Sequence, residues 1–170
     1  MTDALQKDFL DSSIDTLRQH SGRIANCLGK LTADQVWARG SENENAIGNL
    51  VLHLCGNVRQ WIIAGVGGSP DIRQRDGEFA ARGGVPVTEL AERLRTTVEE
   101  AVVVLGGVTV ERLSEPLKIQ GYDATGLVAI YHVVEHFSGH TGQIIFATKM
   151  LTGEDLGFYR HLSRSAGPAA

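Results

Sequence analysis

Six histidines are the most informative residues of the chain, and three of them, His132, His136 and His140, recur at intervals of four. Four residues advance an α-helix by about 6 Å and turn it by about 40°, so neighbours in this series share a face. Two imidazoles at that spacing can reach one metal ion, as they do in helical zinc sites. The outer two stand about 12 Å apart along the axis. All three therefore cannot serve one ion easily, and spacing alone leaves open which pair would. A third ligand must come from another element. His53 follows Leu50 by three and precedes Leu54, at the border of an apolar stripe, and Asn49, Asn57 and Gln60 give that edge a polar lining. Cys55 lies two positions on, on a different face.

Structural roles compete with this reading. A lone histidine beside a helical stripe is usually a satisfied boundary residue, and His20 and His161 are read that way. Two histidines a turn apart on an apolar helix are costly to bury without a partner, and His53 on a facing helix tips the balance toward metal. Other chemistries fare worse. Gly65-Val-Gly-Gly68 neither follows a strand nor carries the lysine of a phosphate loop. No Ser-His-Asp arrangement stands out. Glu89, Glu92, Glu99 and Glu100 read as a solvated face, and only Glu135 adjoins the histidines, which argues against a carboxylate-rich di-iron site.

Four long amphipathic segments must position these groups. Leu5, Phe9 or Leu10, Ile14, Leu17, Ile24, Leu28 and Leu31 form the stripe of the first; Ile47, Leu50, Val51, Leu54, Val58, Trp61 and Ile62 that of the second. The third carries Leu90, Leu94, Val98, Ala101, Val102 and Leu105, with Thr88 as expected N-cap and Gly106-Gly107 as its end. The fourth runs from about Thr125 to Thr152 with Leu127, Ile130, Val134, Phe137, Ile144, Ile145, Thr148 and Leu151 inward, and Gly153 stops it. Thr32-Ala-Asp-Gln35 and Ser41-Glu-Asn-Glu44 both have capping-box spacing. Strand signals are weak, because the one β-branched run, Val102-Val-Val104, sits inside a helical pattern. Four such stripes bury best against each other, which predicts an all-α four-helix bundle. The connection over residues 65–87 is long enough to be a crossover between the second and third helices, a lid over a site, or both. The expected layout is one domain over residues 1–162 and a flexible tail over 163–170.

Composition narrows the function classes. The chain has 170 residues, 42% hydrophobic and 21% charged, with a formal net charge of −4. That suits one domain with a real core and excludes a disordered or fibrous chain. Sixteen basic against twenty acidic residues argue against nucleic acid as the main partner. No apolar run is long enough to span a membrane, and the first ten residues lack a secretory layout. Two cysteines, Cys27 and Cys55, inside helical patterns read as reduced, buried thiols, so a cytoplasmic location is expected.

Two stretches, Asn49-Leu-Val-Leu-His53-Leu-Cys-Gly-Asn-Val-Arg-Gln-Trp61 and His132-Val-Val-Glu-His136-Phe-Ser-Gly-His140-Thr-Gly-Gln143, resemble the DinB/YfiT-like superfamily of metal-dependent bundle proteins. Arg75-Asp-Gly-Glu-Phe79 and Leu151-Thr-Gly-Glu-Asp-Leu-Gly-Phe-Tyr159 are similar to one branch of it. The resemblance implies an up-up-down-down-like four-helix bundle, often a homodimer. It implies that His53, His136 and His140 hold a divalent ion and gives His132 a neighbouring role. Zinc suits such a site best, and nickel, iron or manganese also suit imidazole with water. Three neutral imidazoles leave the charge of the ion uncompensated and a position open, which makes a nucleophile of water or a thiol near neutral pH. Gln143, Arg59 and Glu135 are candidates for contacts behind the ligands or to substrate, with a structural use equally open to each. Characterised relatives include transferases and isomerases that use low-molecular-weight thiols, alongside many members of no known activity, so the resemblance implies a thiol S-transferase acting on a small molecule. Metal-dependent hydrolysis, and a non-catalytic metal-binding protein or degenerate family member, are the alternatives.

Overall fold

The computed structural model describes residues 2–163, and its long helices fall where the apolar spacing requires them. Helix α1, Asp3–Leu28, opens on Thr2, whose hydroxyl oxygen accepts from the Leu5 N–H, and buries Leu10, Leu17, Ile24 and Leu28. Leu5, expected in this stripe, is exposed: the apolar pattern runs to the end of the helix but the core does not. Helix α2, Ala33–Trp37, starts with the expected capping box between Thr32 and Gln35. Helix α3, Ile47–Val58, continues without interruption as a π-helical stretch, Arg59–Val66. The second expected capping box does not form. Glu44 instead accepts from the Gly40 N–H at 2.7 Å, and Asn49 Oδ1 accepts from the Ala46 N–H at 3.1 Å.

The connection over residues 67–86 contains a short helix, α4, Arg75–Ala80. Helix α5, Val87–Gly106, has Pro86 rather than Thr88 as its N-cap. Proline supplies the boundary itself, since its fixed φ suits the first turn and it has no N–H to satisfy. After α6, Val110–Ser114, come two strands that the sequence did not announce, β1 (Pro116–Ile119) and β2 (Tyr122–Thr125). They pair antiparallel with Pro116 opposite Thr125 and Ile119 opposite Tyr122. Gln120 and Gly121 turn the hairpin with φ of 54° and 83°. That is the left-handed pair a two-residue turn needs, and glutamine is an unusual residue to fill it. Helix α7, Gly126–Thr152, is capped by the Thr125 hydroxyl and stopped by Gly153 at φ 70°. Helix α8, Arg160–Ser163, ends the described chain; apart from Ser163, the expected tail lies outside the described residues.

The α1 helix packs against α5 and α7, and α3 packs against the same two, so α1 and α3 occupy one diagonal of a four-helix bundle. Leu17, Leu54, Leu94, Ile130 and Phe137 fill its centre with essentially no exposure. Each such side chain contributes about 1.5–3 kcal/mol through burial. Leu151, at the end of the fourth stripe, is instead 43% exposed, and Cys55 is half-buried where Cys27 is fully buried. The expected all-α class holds, with the hairpin as a small addition that closes one end of α7. Among the described residues no helix is long and apolar enough to cross a membrane.

Candidate metal centre

Packing of α3 against α7 brings imidazoles from both helices together. One ring nitrogen each from His53, His136 and His140 lies within 4.8 Å of the other two. His53 Nε2 and His136 Nε2 are 2.8 Å apart, and the His53 and His140 rings meet edge-on at 5.1 Å. Zinc–imidazole bonds of about 2.0–2.1 Å in a tetrahedral arrangement put neighbouring nitrogens about 3.3 Å apart, so these spacings fit one ion with small adjustments. The protonation chemistry also fits. Burial, reinforced by His140, His53 and His132, lowers the His136 pKa to about 3. Burial lowers that of His140 as well, against the opposing bond to Gln143. Both therefore offer a lone pair at neutral pH.

Oxygen acceptors stand behind two of the three rings. His140 Nδ1 lies 2.7 Å from Gln143 Oε1, one helical turn on, and His53 Nδ1 lies 3.0 Å from Glu78 Oε2. An Nδ1–H that donates to oxygen leaves Nε2 free to bind a metal. Glu78 comes from α4 and is the one buried residue of that helix. Burial works against its charge, but the bonds from Arg73 and His53 outweigh it and hold its pKa below the usual carboxylate value. Arg73 Nε donates to Glu78 Oε1 at 2.7 Å and Arg73 Nη2 to Oε2 at 2.8 Å, while Nη1 reaches Gln60 at 2.9 Å. Gly56 makes room for this pair, since a Cβ there would collide with it.

The polar edge of α3 is thus the seam on which the crossing segment docks. Asn49 Nδ2 donates to the carbonyls of Glu78 and Ala81 at 2.8 and 2.9 Å, His53 meets the Glu78 carboxylate, and Gln60 meets Arg73. The segment crosses the bundle and also covers one side of the histidine cluster. On the other side a cavity of about 450 Å³ opens against His53, His132 and His136, with Trp61, Arg75 and Tyr122 among its walls. The Trp61 ring lies 4.3 Å from that of His132 and belongs to the π-helical stretch, whose wider turn is a common feature of functional sites. Burial lowers the His132 pKa, with Glu135 opposing, and Asn57 Nδ2 lies 3.5 Å from its Nε2.

The candidates fall into two groups. His53, His136 and His140 converge, His132 lines the adjoining cavity, and Gln143 touches His140. Arg59 does not join them. Its Nη2 donates to Glu100 on α5 at 2.8 Å, because six residues of helix after His53 set it about 120° round the axis from that histidine. Glu135 is exposed and makes no hydrogen bond to the cluster among the described residues. Reasoning from helical spacing missed Glu78 and Arg73, which lie in a segment without periodicity. The only signal for Glu78 was the likeness of Arg75-Asp-Gly-Glu-Phe79 to one branch of a known family, and Arg73, two residues before that stretch, had none.

Fold and site together define a helical bundle carrying three histidines from two helices whose ring nitrogens are spaced as the ligands of one metal ion are. Two solved structures share the fold. A conserved protein from Enterococcus faecalis aligns with a TM-score of 0.73 at 16% identity, over 85% of this chain and 97% of its own. A DinB-like protein, YjoA, from Bacillus subtilis aligns at 0.67 and 18% identity, over 87% and 96%. The chain belongs to the DUF1572 family, described as proteins of unknown function, whose pattern it matches over residues 4–165. No curated protein matches it.

Proposed function

We propose that the protein is a metal-dependent enzyme in which His53, His136 and His140 hold one divalent ion, zinc before nickel, iron or manganese. The observation that carries this is the convergence of three ring nitrogens within 4.8 Å from two helices. An ion bound there supplies a Lewis acid that makes a nucleophile of a thiol or water near neutral pH. The protein's residues do the rest. Gln143 and Glu78 orient two of the imidazoles, the crossing segment keeps water from one side of the cluster, and the cavity beside His132 admits a small organic substrate. Trp61 and Tyr122 offer that substrate aromatic surface, and Arg75, which makes no ion pair among the described residues, offers it a positive charge.

We read the reaction as thiol S-transfer, with a low-molecular-weight thiol as co-substrate, in the cytoplasm and in a homodimer. The exposed Phe146 and Met150 on α7 are the surface such a dimer would cover. Elemental analysis of protein purified without added metal tests the first step. Turnover with bacillithiol, mycothiol or glutathione plus electrophilic acceptors tests the second, and no turnover with any pair in the metal-loaded protein would refute it. The open side of the cavity favours one second reading, hydrolysis by water. It predicts turnover of ester, amide or lactone panels without thiol.

A further inference from the structure

We propose that Glu78 is a positioning residue for His53: its carboxylate, clamped by Arg73, keeps the imidazole hydrogen on Nδ1 and turns the Nε2 lone pair toward the ion. This rests on reading His53, His136 and His140 as a metal site.

Two groups compete for His53 Nδ1. Glu78 Oε2 lies 3.0 Å away and Arg73 Nη2 lies 3.1 Å away. A guanidinium only donates and a carboxylate only accepts, so each selects a different tautomer. If Arg73 donates to Nδ1, the ring hydrogen sits on Nε2 and points at His136 Nε2, 2.8 Å away. That arrangement is closed and offers no lone pair to a cation. If Nδ1–H donates to Glu78, His53 Nε2 is left bare facing His136. The choice between acid and base at Nδ1 is therefore a choice between a closed site and a receptive one.

The surroundings favour the acid. Arg73 already gives its Nε hydrogen and one Nη2 hydrogen to Glu78 and an Nη1 hydrogen to Gln60, which leaves only the second Nη2 hydrogen, at the longer distance of 3.1 Å, for Nδ1. A bond from a ring N–H to a charged carboxylate is also stronger than one from a guanidinium to a neutral ring nitrogen that is shared with other acceptors. The carboxylate is fixed from both ends: Asn49 holds its backbone carbonyl at 2.8 Å, and Arg73 holds both its oxygens. Gly56, three residues after His53 and on the same side of α3, leaves the space that the pair fills. Glu78 is the one buried residue of α4, and its carboxylate faces the His53 ring, against which the half-buried Phe79 of the same helix also packs.

The test is zinc affinity, read by competition with a chelator, for the wild type, for Glu78→Gln, and for the double variant Arg73→Met with Glu78→Gln. The double variant removes both charges, so neither is left buried alone. Circular dichroism establishes that each variant keeps its helices. Both variants should bind zinc 10–100-fold more weakly. Nitrogen NMR of the metal-free protein should show the His53 hydrogen on Nδ1 in the wild type and shifted toward Nε2 in the variants. A merely structural acid would not move that signature. A folded double variant with wild-type zinc affinity overturns this proposal and leaves the metal reading standing. A wild-type chain that binds no divalent ion overturns both.

Discussion

A Cβ added to Gly56 would come within 1.8 Å of Glu78 Oε1 and 2.8 Å of Arg73 Nε. The carboxylate cannot swing away cheaply, because Arg73 and His53 hold it. Gly56→Ala should therefore destabilise the protein by about 1–3 kcal/mol, as overpacking does, although alanine is by about 1 kcal/mol the better helix former. Urea unfolding of the two proteins decides it; a gain in stability would show that the segment yields freely.

Removing a ligand should empty the site without unfolding the bundle. His53→Ala and His136→Ala are expected to lose most bound metal in elemental analysis while keeping the helical circular dichroism. Arg59→Ala should keep its metal, since Arg59 is engaged with Glu100. Full metal occupancy in both histidine variants would reject the ligand assignment.

Acid should weaken the metal-free protein earlier than most globular domains. Burial lowers the pKa of His20, His132, His136 and His140 below the ordinary 6.5, in the case of His136 to about 3. Below pH 6.5 the unfolded chain takes up protons that the folded one refuses, so stability falls steadily toward the folded-state values. By pH 5 His136 alone should account for a loss of about 1–2 kcal/mol. Glu78 adds to the loss only below its ordinary 4.5. Urea midpoints at pH 7.5 and pH 5 measure this, and equal midpoints would contradict it.

The hairpin turn holds a glutamine where φ is 54°. Gln120→Asn or Gln120→Gly relieves that conformation and should raise stability by about 0.5–1 kcal/mol. A denaturant midpoint that falls instead would mean the Gln120 side chain makes a contact worth more than the strain.

The helices were legible because their signals are local. Thr32, Thr125 and Gly153 mark boundaries through bonds within a turn of themselves, and Leu54, Leu94 and Phe137 repeat with the pitch of the helix. The hairpin was not, since four-residue strands leave too short an alternation to read and Gln-Gly is a poor announcement of a tight turn. The N-cap of α5 was misplaced by two residues for a related reason: Pro86 and Thr88 both carry helix-start signals, and the helix that begins after Pro86 takes the proline as its cap.

For the site, the sequence by itself determined that His132, His136 and His140 share a helix face and that His53 stands on the polar edge of another helix, because the 3.6-residue turn is a property of the backbone. Spacing left open which of those rings meet; the resemblance named His53, His136 and His140, and only the packing of α3 against α7 brings their nitrogens together. The tertiary structure alone brought Glu78 and Arg73 to His53, since a segment without periodicity reveals its contacts only once a glycine, an asparagine and an ion pair have fixed where it lies.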